Sequence, residues 1–432
     1  MGVEATRPTD RGISATPATV AESPRGLSLS GARAAWLVLH RWAGLTLAVF
    51  LVMAGITGAL LAFYDELHAA AARWVRVEPP TVGAPLLDPV ALHAAAGRAA
   101  PEARFDRVEL NIEPGRAVLF YPSPRGPDPL GYDELALDPY TGAEVHRGTW
   151  ADITEGWHQL MPFVFRLHYT FALGEAGRLA LGIAALVWTI DCFISFLLTL
   201  PHTPQRWWHR WRQAWQVRGP SAGSFKFTFD LHRAGGLWLW PVLLVFAWSS
   251  VAFNLTSVYD PVMSAFGATD PRDALPARSA PDDLEHDWAA RLADGRALAR
   301  QIGASEGFEI VAENGLSYRE AFDAYEYRFA ASDDVSHERP QSRLYFDRAT
   351  GEVLAIKRGL GRADANGLNE WLVSLHIASV GGTWYRTFVA IVGLAVAALS
   401  VTGFALWLRK REARAKRRAM RRPAWTNGGG ET

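Results

Sequence analysis

Leu39-His40-Arg41-Trp42-Ala43-Gly44 stands near the start of an apolar run that continues to about Tyr64, and Leu231-His232-Arg233-Ala234-Gly235-Gly236 stands near the start of a later run. An ionisable side chain at membrane depth is costly and usually functional. A single histidine of this kind is explained by snorkelling to the interface, with its body in lipid and its polar edge in water. The same L-H-R-x-x-G pattern at two equivalent places points instead to a shared chemical role. Imidazole is a good axial ligand for haem iron. Gly44 and Gly236 lie one helical turn beyond their histidines, on the same face, where the lack of a side chain lets a flat porphyrin approach the backbone. Arg41 and Arg233 are suited to pairing with a haem propionate at the membrane surface.

Hydrophobic residues make up 49% of the 432-residue chain and concentrate in four runs, near Trp36–Tyr64, Leu179–Leu200, Leu237–Leu255 and Trp384–Leu408. Each run is close to or above the roughly 20 residues that cross a bilayer as a helix. The expected class is therefore an α-helical integral membrane protein with four transmembrane helices. The formal net charge is zero, so only its distribution is informative. Arg206, Arg210, Arg212, Arg218 and Lys226 crowd the loop at 201–231, and the tail from Arg409 to Arg422 is basic, whereas residues 66–160 and 257–375 carry an acidic excess. The positive-inside rule then predicts that both termini and the 201–231 loop are cytoplasmic and that the two long segments are outside.

Those two segments share a plan. In the first, a helical pattern over Pro89–Ala100 precedes strand-like Arg107–Ile112 and Ala117–Tyr121, and Leu135–Asp138 runs through Pro139-Tyr140-Thr141-Gly142 into Ala143–His146. In the second, a helical pattern over Asp282–Ile302 precedes strand-like Glu309–Ala312 and Ala324–Ala330, and Leu344–Asp347 runs through Arg348-Ala349-Thr350-Gly351 into Glu352–Ile356. Both hairpins read D-x-x-T-G, with glycine for a positive φ and Asp and Thr for local backbone bonds. The chain is thus expected to consist of two repeated halves, each a span, an outer α+β domain and a returning span.

The returning spans carry a second pair of matched histidines, because Leu167-His168 with Arg178 and Leu375-His376 with Arg386 both read L-H-x(9)-R. Gly174 and Gly177 follow the first, and Gly381 and Gly382 the second. By depth, His40 pairs with His232 on the inside and His168 with His376 on the outside. Two b-type haems, each held by two axial histidines, are the chemistry this arrangement suggests, with Arg178 and Arg386 as further cofactor-binding candidates. His68 and His158 also lie on the outer side and compete as outer ligands. His40 and His68, about 42 Å apart if helical throughout, cannot share a site. Asp191, inside the second span, either pairs with a neighbouring hydroxyl or serves a proton path. Gly55 and Gly58 read as close helix packing. Trp208, Trp211 and Trp215 mark an amphipathic segment at the lipid surface, with His202 and His209 interfacial. His93, His146, His286 and His337 are expected to be exposed.

Cys192 is the one cysteine. Intramolecular disulfides, iron–sulfur clusters, c-type haem attachment and cysteine zinc sites are excluded with it. No dinucleotide fingerprint, Ser-His-Asp set or H-E-x-x-H motif is present, and no nucleic-acid partner is expected.

On the L-H-R-x-x-G starts, the L-H-x(9)-R returns and the D-x-x-T-G hairpins, the chain resembles the PepSY-associated transmembrane family over roughly residues 33–411. The resemblance implies two periplasmic α+β PepSY-like domains in a multi-pass protein of the bacterial inner membrane, and a haem-containing reductase of ferric siderophores or other ferric chelates. Electrons would come from a separate reductase, a reduced flavin or the quinone pool. The other reading is a non-redox, membrane-anchored PepSY protein that binds peptides or partner proteins. The expected divisions are a disordered cytoplasmic tail at 1–33, the first span at 34–65, the first outer domain at 66–160, an outer histidine segment and second span at 161–201, and a cytoplasmic amphipathic loop at 202–228. The third span follows at 229–256, the second outer domain at 257–370, an outer histidine segment and fourth span at 371–408, and a basic cytoplasmic tail at 409–432.

Overall fold

The computed structural model describes Gly2, residues 29–278 and residues 285–420. Most of the tail expected at 1–33 and the end of the basic tail at 409–432 therefore lie outside the described residues, as do residues 282–284 at the start of one expected helix. Helix α1 (Leu29–Leu61) is the first of four helices long and apolar enough to cross a membrane, and α2 (Tyr64–Ala71) follows it. The first sheet-bearing segment contains α3 (Pro89–Ala99), β1 (Ala103–Arg104), β2 (Arg107–Glu109), β3 (Val118–Phe120), β4 (Ser123–Pro124), β5 (Glu134–Leu137) and β6 (Glu144–Gly148). The chain returns through α4 (Leu160–Thr170) and the second span, α5 (Gly174–Thr199). Helix α6 (Trp207–Arg212) lies in the basic loop, and α7 (Ser224–Asn254) is the third span. The second sheet-bearing segment holds α8 (Thr256–Ala265), α9 (Trp288–Glu306), β7 (Ile310–Arg319), β8 (Ala324–Ala331), β9 (Ser342–Asp347) and β10 (Val353–Lys357). Helix α10 (Ala365–His376) leads into the fourth span, α11 (Gly382–Met420).

The spans leave Val49, Ile183, Ile190, Ile391 and Val401 exposed on the outside of the bundle, a surface that lipid satisfies and water does not. Within the bundle α1 packs along α11 and against α5, and α5 packs against α7. The α1–α11 crossing is set by glycine: a Cβ built on Gly393 would fall 2.5 Å from the Gly55 carbonyl oxygen, and one built on Gly55 would overlap the Gly393 carbonyl. This is the small-residue packing that lets helices approach in lipid.

In the sheets, both D-x-x-T-G hairpins form as their residue types require. Asp138 Oδ1 accepts from the amides of Tyr140 and Thr141, and Asp347 Oδ1 accepts from those of Ala349 and Thr350. Gly142 and Gly351 both sit at φ 72°. Helix α3 starts on Pro89 with Asp88 as its cap, accepting from Val90 and Ala91.

The two segments also share a sheet. Strand β2 of the first pairs antiparallel with β7 of the second, Val108 opposite Leu316, and completes a five-stranded sheet in the order β10-β9-β8-β7-β2. Long β7 would otherwise present an open edge, which invites pairing with another strand. Under this sheet Trp288 and Leu292 of α9 pack on Leu316, Tyr327, Phe329, Leu344 and Phe346. Each of those large apolar side chains stabilises the fold by about 1.5–3 kcal/mol on burial.

Candidate functional site

Two histidine pairs sit in the helix bundle at its two ends. His40 on α1 and His232 on α7 have ring centres 6.2 Å apart, and His168 on α4 and His376 on α10 have ring centres 6.5 Å apart. His168 and His376 end short helices, and tight turns then redirect the chain into the spans. Those turns place Phe171, Ala172 and Gly174 after the first histidine, and Ala378, Gly381 and Gly382 after the second, at positive φ.

All four rings are held by Nδ1, each from a different helix. His40 Nδ1 lies 2.9 and 3.0 Å from the two carboxylate oxygens of Asp191 on α5. His232 Nδ1 lies 3.0 Å from the Leu399 carbonyl and 3.1 Å from Thr402 Oγ1, both on α11. A carboxylate and a carbonyl only accept, so each of these Nδ1 atoms carries the proton. His168 Nδ1 lies 2.8 Å from Thr57 Oγ1 on α1, and His376 Nδ1 lies 2.6 Å from Ser249 Oγ on α7. Those hydroxyl protons are already donated, Thr57 to the Met53 carbonyl and Ser249 to the Val245 carbonyl, each at 2.7 Å. The hydroxyl oxygens therefore accept from Nδ1–H as well. In all four histidines the proton is on Nδ1, the free lone pair is on Nε2, and no Nε2 has a hydrogen-bond partner among the described residues.

A metal-ligating histidine is oriented in this way, with one nitrogen tied back and the other bare. Among the described residues no group of three or more His, Cys, Asp or Glu converges to hold a metal ion. Each pair thus offers two nitrogens, too few for a free ion but the axial complement of a porphyrin. His40 with His232, and His168 with His376, would be the residues to hold such a group, which would supply one-electron redox chemistry.

The surroundings of the first pair also fit a haem. His40, Asp191 and His232 line a cavity of about 830 Å³, within the roughly 300–1,000 Å³ usual for a cofactor site. Its walls include Leu47, Leu51, Trp188, Leu237, Trp240 and Leu243. Gly44 and Gly236 face into open space, with nothing within 4 Å of a built Cβ. Arg41 and Arg233 line the same cavity, and the Nε of each is buried without a hydrogen-bond partner among the described residues. Arg233 is also tied down, donating to the Gln213 carbonyl and to Asp230, a fully buried carboxylate shared with Arg218 and Lys226. At the second pair, Phe246 and Phe253 meet the His376 ring edge-on.

The two L-H-x(9)-R arginines diverge. Arg178 pairs with Glu175 on the surface, whereas Arg386 donates to the Ala62 carbonyl at 2.6 Å and to Glu66 at 2.5 Å. Arg386 also borders a second, polar cavity of about 370 Å³, with Tyr64, Asn111, Glu113, Asn314 and Arg339. Its wall includes Ile377 and Ala378, immediately after His376.

His68 and His158 belong to a separate cluster. His68 is buried against Tyr64 and Trp74, Trp74 stacks on His146 at 4.3 Å, and His146 meets His158 at 5.1 Å. Burial holds the His68 and His146 rings below the usual histidine range, and it pushes the neighbouring Glu134 carboxyl up to about 7. The expectation that His93, His146 and His286 are exposed is therefore corrected. His93 bonds the Phe105 carbonyl and His286 bonds the Tyr325 hydroxyl, so each ring fills a half-buried polar gap. His337, His202 and His209 are exposed.

Several supporting residues carried no distinguishing sequence signal. Thr57, Ser249 and Thr402 look like any hydroxyl in an apolar helix. Gly58, read as packing, lies under the His168 ring, and Gly403 lies under that of His232, with built Cβ atoms 3.1 and 3.0 Å from Cε1.

A four-span helical bundle with two oriented histidine pairs and a sheet-bearing head defines a multi-pass membrane protein built around half-buried imidazoles. The chain belongs to the family of the PepSY-associated TM region, whose model matches residues 37–410. Comparison with curated proteins found no match.

Proposed function

We propose that this protein is a di-haem electron-transfer protein of the bacterial inner membrane that reduces a periplasmic ferric chelate, such as a ferric siderophore, and so releases its iron. The observation that carries the reading is the placement common to His40, His232, His168 and His376: each Nδ1 is held by a group on another helix, and no Nε2 has a hydrogen-bond partner among the described residues. When bound, haem b supplies one-electron redox chemistry at each pair. The chain's own part is to fix the rings from neighbouring helices, exclude water with apolar walls, and offer Arg41 and Arg233 to propionates. Arg206, Arg210 and the α11 extension make one end basic, which supports a cytoplasmic assignment for that end and for both termini. The sheets are then periplasmic. Their matched D-x-x-T-G turns support two PepSY-like domains in two repeated halves, interlocked through β2 and β7. The polar cavity beside Ala378 suits a ferric chelate next to the outer pair. A reductase, a reduced flavin or the quinone pool is the proposed electron donor.

The test is haem content by pyridine haemochrome on detergent-purified protein. About two b-type haems per chain are expected, with His40→Ala and His232→Ala giving one residual spectrum and His168→Ala and His376→Ala the other. A colourless protein from haem-replete cells refutes the reading and favours a non-redox anchor for peptide or protein binding.

A further inference from the structure

The two pairs differ in the charge of the groups that receive the Nδ1 protons. On the sheet side both acceptors are neutral hydroxyls, Thr57 and Ser249. On the basic side His232 also bonds neutral groups, but His40 donates to both oxygens of a carboxylate. Asp191 is 8% exposed, and His40 is its one ion-pair partner among the described residues. A carboxylate within a span needs a function, since its burial is costly. Here its negative charge is directed through a single N–H into the ring whose other nitrogen is free.

We infer that Asp191 is a tuning residue that lowers the reduction potential of the His40/His232 site, an asymmetry absent from the His168/His376 site. The inference rests on the di-haem reading above. A carboxylate partner makes an imidazole a stronger donor and stabilises the extra positive charge of oxidised iron, and the effect grows in a poorly polarisable interior. An electron is then held less tightly on the basic side than the same ligands would otherwise hold it, which favours delivery toward the sheets. Arg41, Arg233, Lys410 and Arg411 line the same cavity and pull the potential the other way. They are unchanged in an Asp191 variant, so the comparison isolates the carboxylate.

The experiment is an equilibrium spectroelectrochemical titration of the full-length purified protein, with haem content measured on the same samples. Asp191→Asn keeps the size and removes the charge. It is expected to raise one of the two components by at least about tenfold in reduced-to-oxidised ratio at fixed potential, about 59 mV for one electron, and to leave the other unmoved. The converse variant, Thr57→Asp, gives the His168 ring a carboxylate and is expected to lower the other component. Two haems with neither component moved in Asp191→Asn overturns the inference while the di-haem reading stands. If Asp191→Asn sheds a haem, Thr57→Asp decides, and an unmoved component there overturns the inference. Absence of haem from the wild type fails the underlying reading instead.

Discussion

Adding one methyl group at the α1–α11 crossing should destabilise the helix bundle. In Gly393→Ala the new Cβ falls 2.5 Å from the Gly55 carbonyl oxygen and 3.2 Å from the Ala59 amide nitrogen. Ordinary C···O contacts begin at about 3.3–3.6 Å, so the helices must part by about 1 Å at this point. Overpacking of this kind costs about 1–3 kcal/mol. Alanine's better helix propensity returns up to about 1 kcal/mol. The backbone carbonyl cannot rotate away as a side chain would, so crowding wins, and a net loss of about 1–2 kcal/mol is expected. Helix α1 carries His40 and Thr57, and α11 carries the Leu399 carbonyl and Thr402. His40 bonds Asp191 on α5, Thr57 bonds His168 on α4, and the Leu399 carbonyl and Thr402 bond His232 on α7, so no Nδ1 bond spans this crossing and the cost is read in the stability of the bundle. Reversible unfolding in mixed detergent micelles measures the cost for Gly55→Ala, Gly393→Ala and the double variant. Once the first methyl has opened the gap, the second costs less, so the double variant should fall short of the sum by about 0.5 kcal/mol or more. Single variants within about 0.5 kcal/mol of wild type, or strict additivity, would refute the close-crossing argument.

Two further outcomes follow from the charges. Reporter fusions after Leu67, Gln213, Ser257 and Lys410 should read out, in, out and in, and an odd number of crossings would contradict four spans. Burial, reinforced by the Arg348 charge, depresses the His286 imidazole from 6.5 to about 4. Its folded pKa lies below its unfolded one, so the neutral ring contributes stability above about pH 6.5 that is lost as the pH falls through about 4. Thermal melts of the wild type and His286→Gln across that window should converge toward the acid end, and parallel curves would show that His286 does not titrate as described.

Much of the bundle was legible because membrane chemistry leaves few choices. Length and apolarity define a span, and an ionisable ring inside one must have a reason, so repetition was enough to sort four histidines into two pairs. The residues that orient those rings were not legible. Asp191 announced itself by its cost but not by its partner, since helix-to-helix contacts depend on rotation about each axis. Thr57 and Ser249 satisfy their own helix backbones as well as a histidine, so their composition is the same in either role. Gly58 gives the same signal under an imidazole as under another helix. The sheets divide in a similar way. The D-x-x-T-G turns are local chemistry and form as read, whereas the β2–β7 pairing joins strands whose sequences contain no mark of each other. Half-burial of His93 and His286 escaped for the same reason, because the Phe105 carbonyl and the Tyr325 hydroxyl become neighbours only in the folded head.

The strand that crosses between the two sheet-bearing segments also sets an order of events during synthesis. Val108 emerges from the ribosome about 200 residues before its partner Leu316, an interval of roughly 10–40 s at 5–20 residues per second. Two more spans, α5 and α7, must be made and inserted in that time. Through that interval β2 has no strand to close against, and the head acquires its five-stranded sheet only when the second half arrives. A truncation after the second span would therefore leave β2 as an open strand, a site for mispairing rather than a smaller working version of the protein.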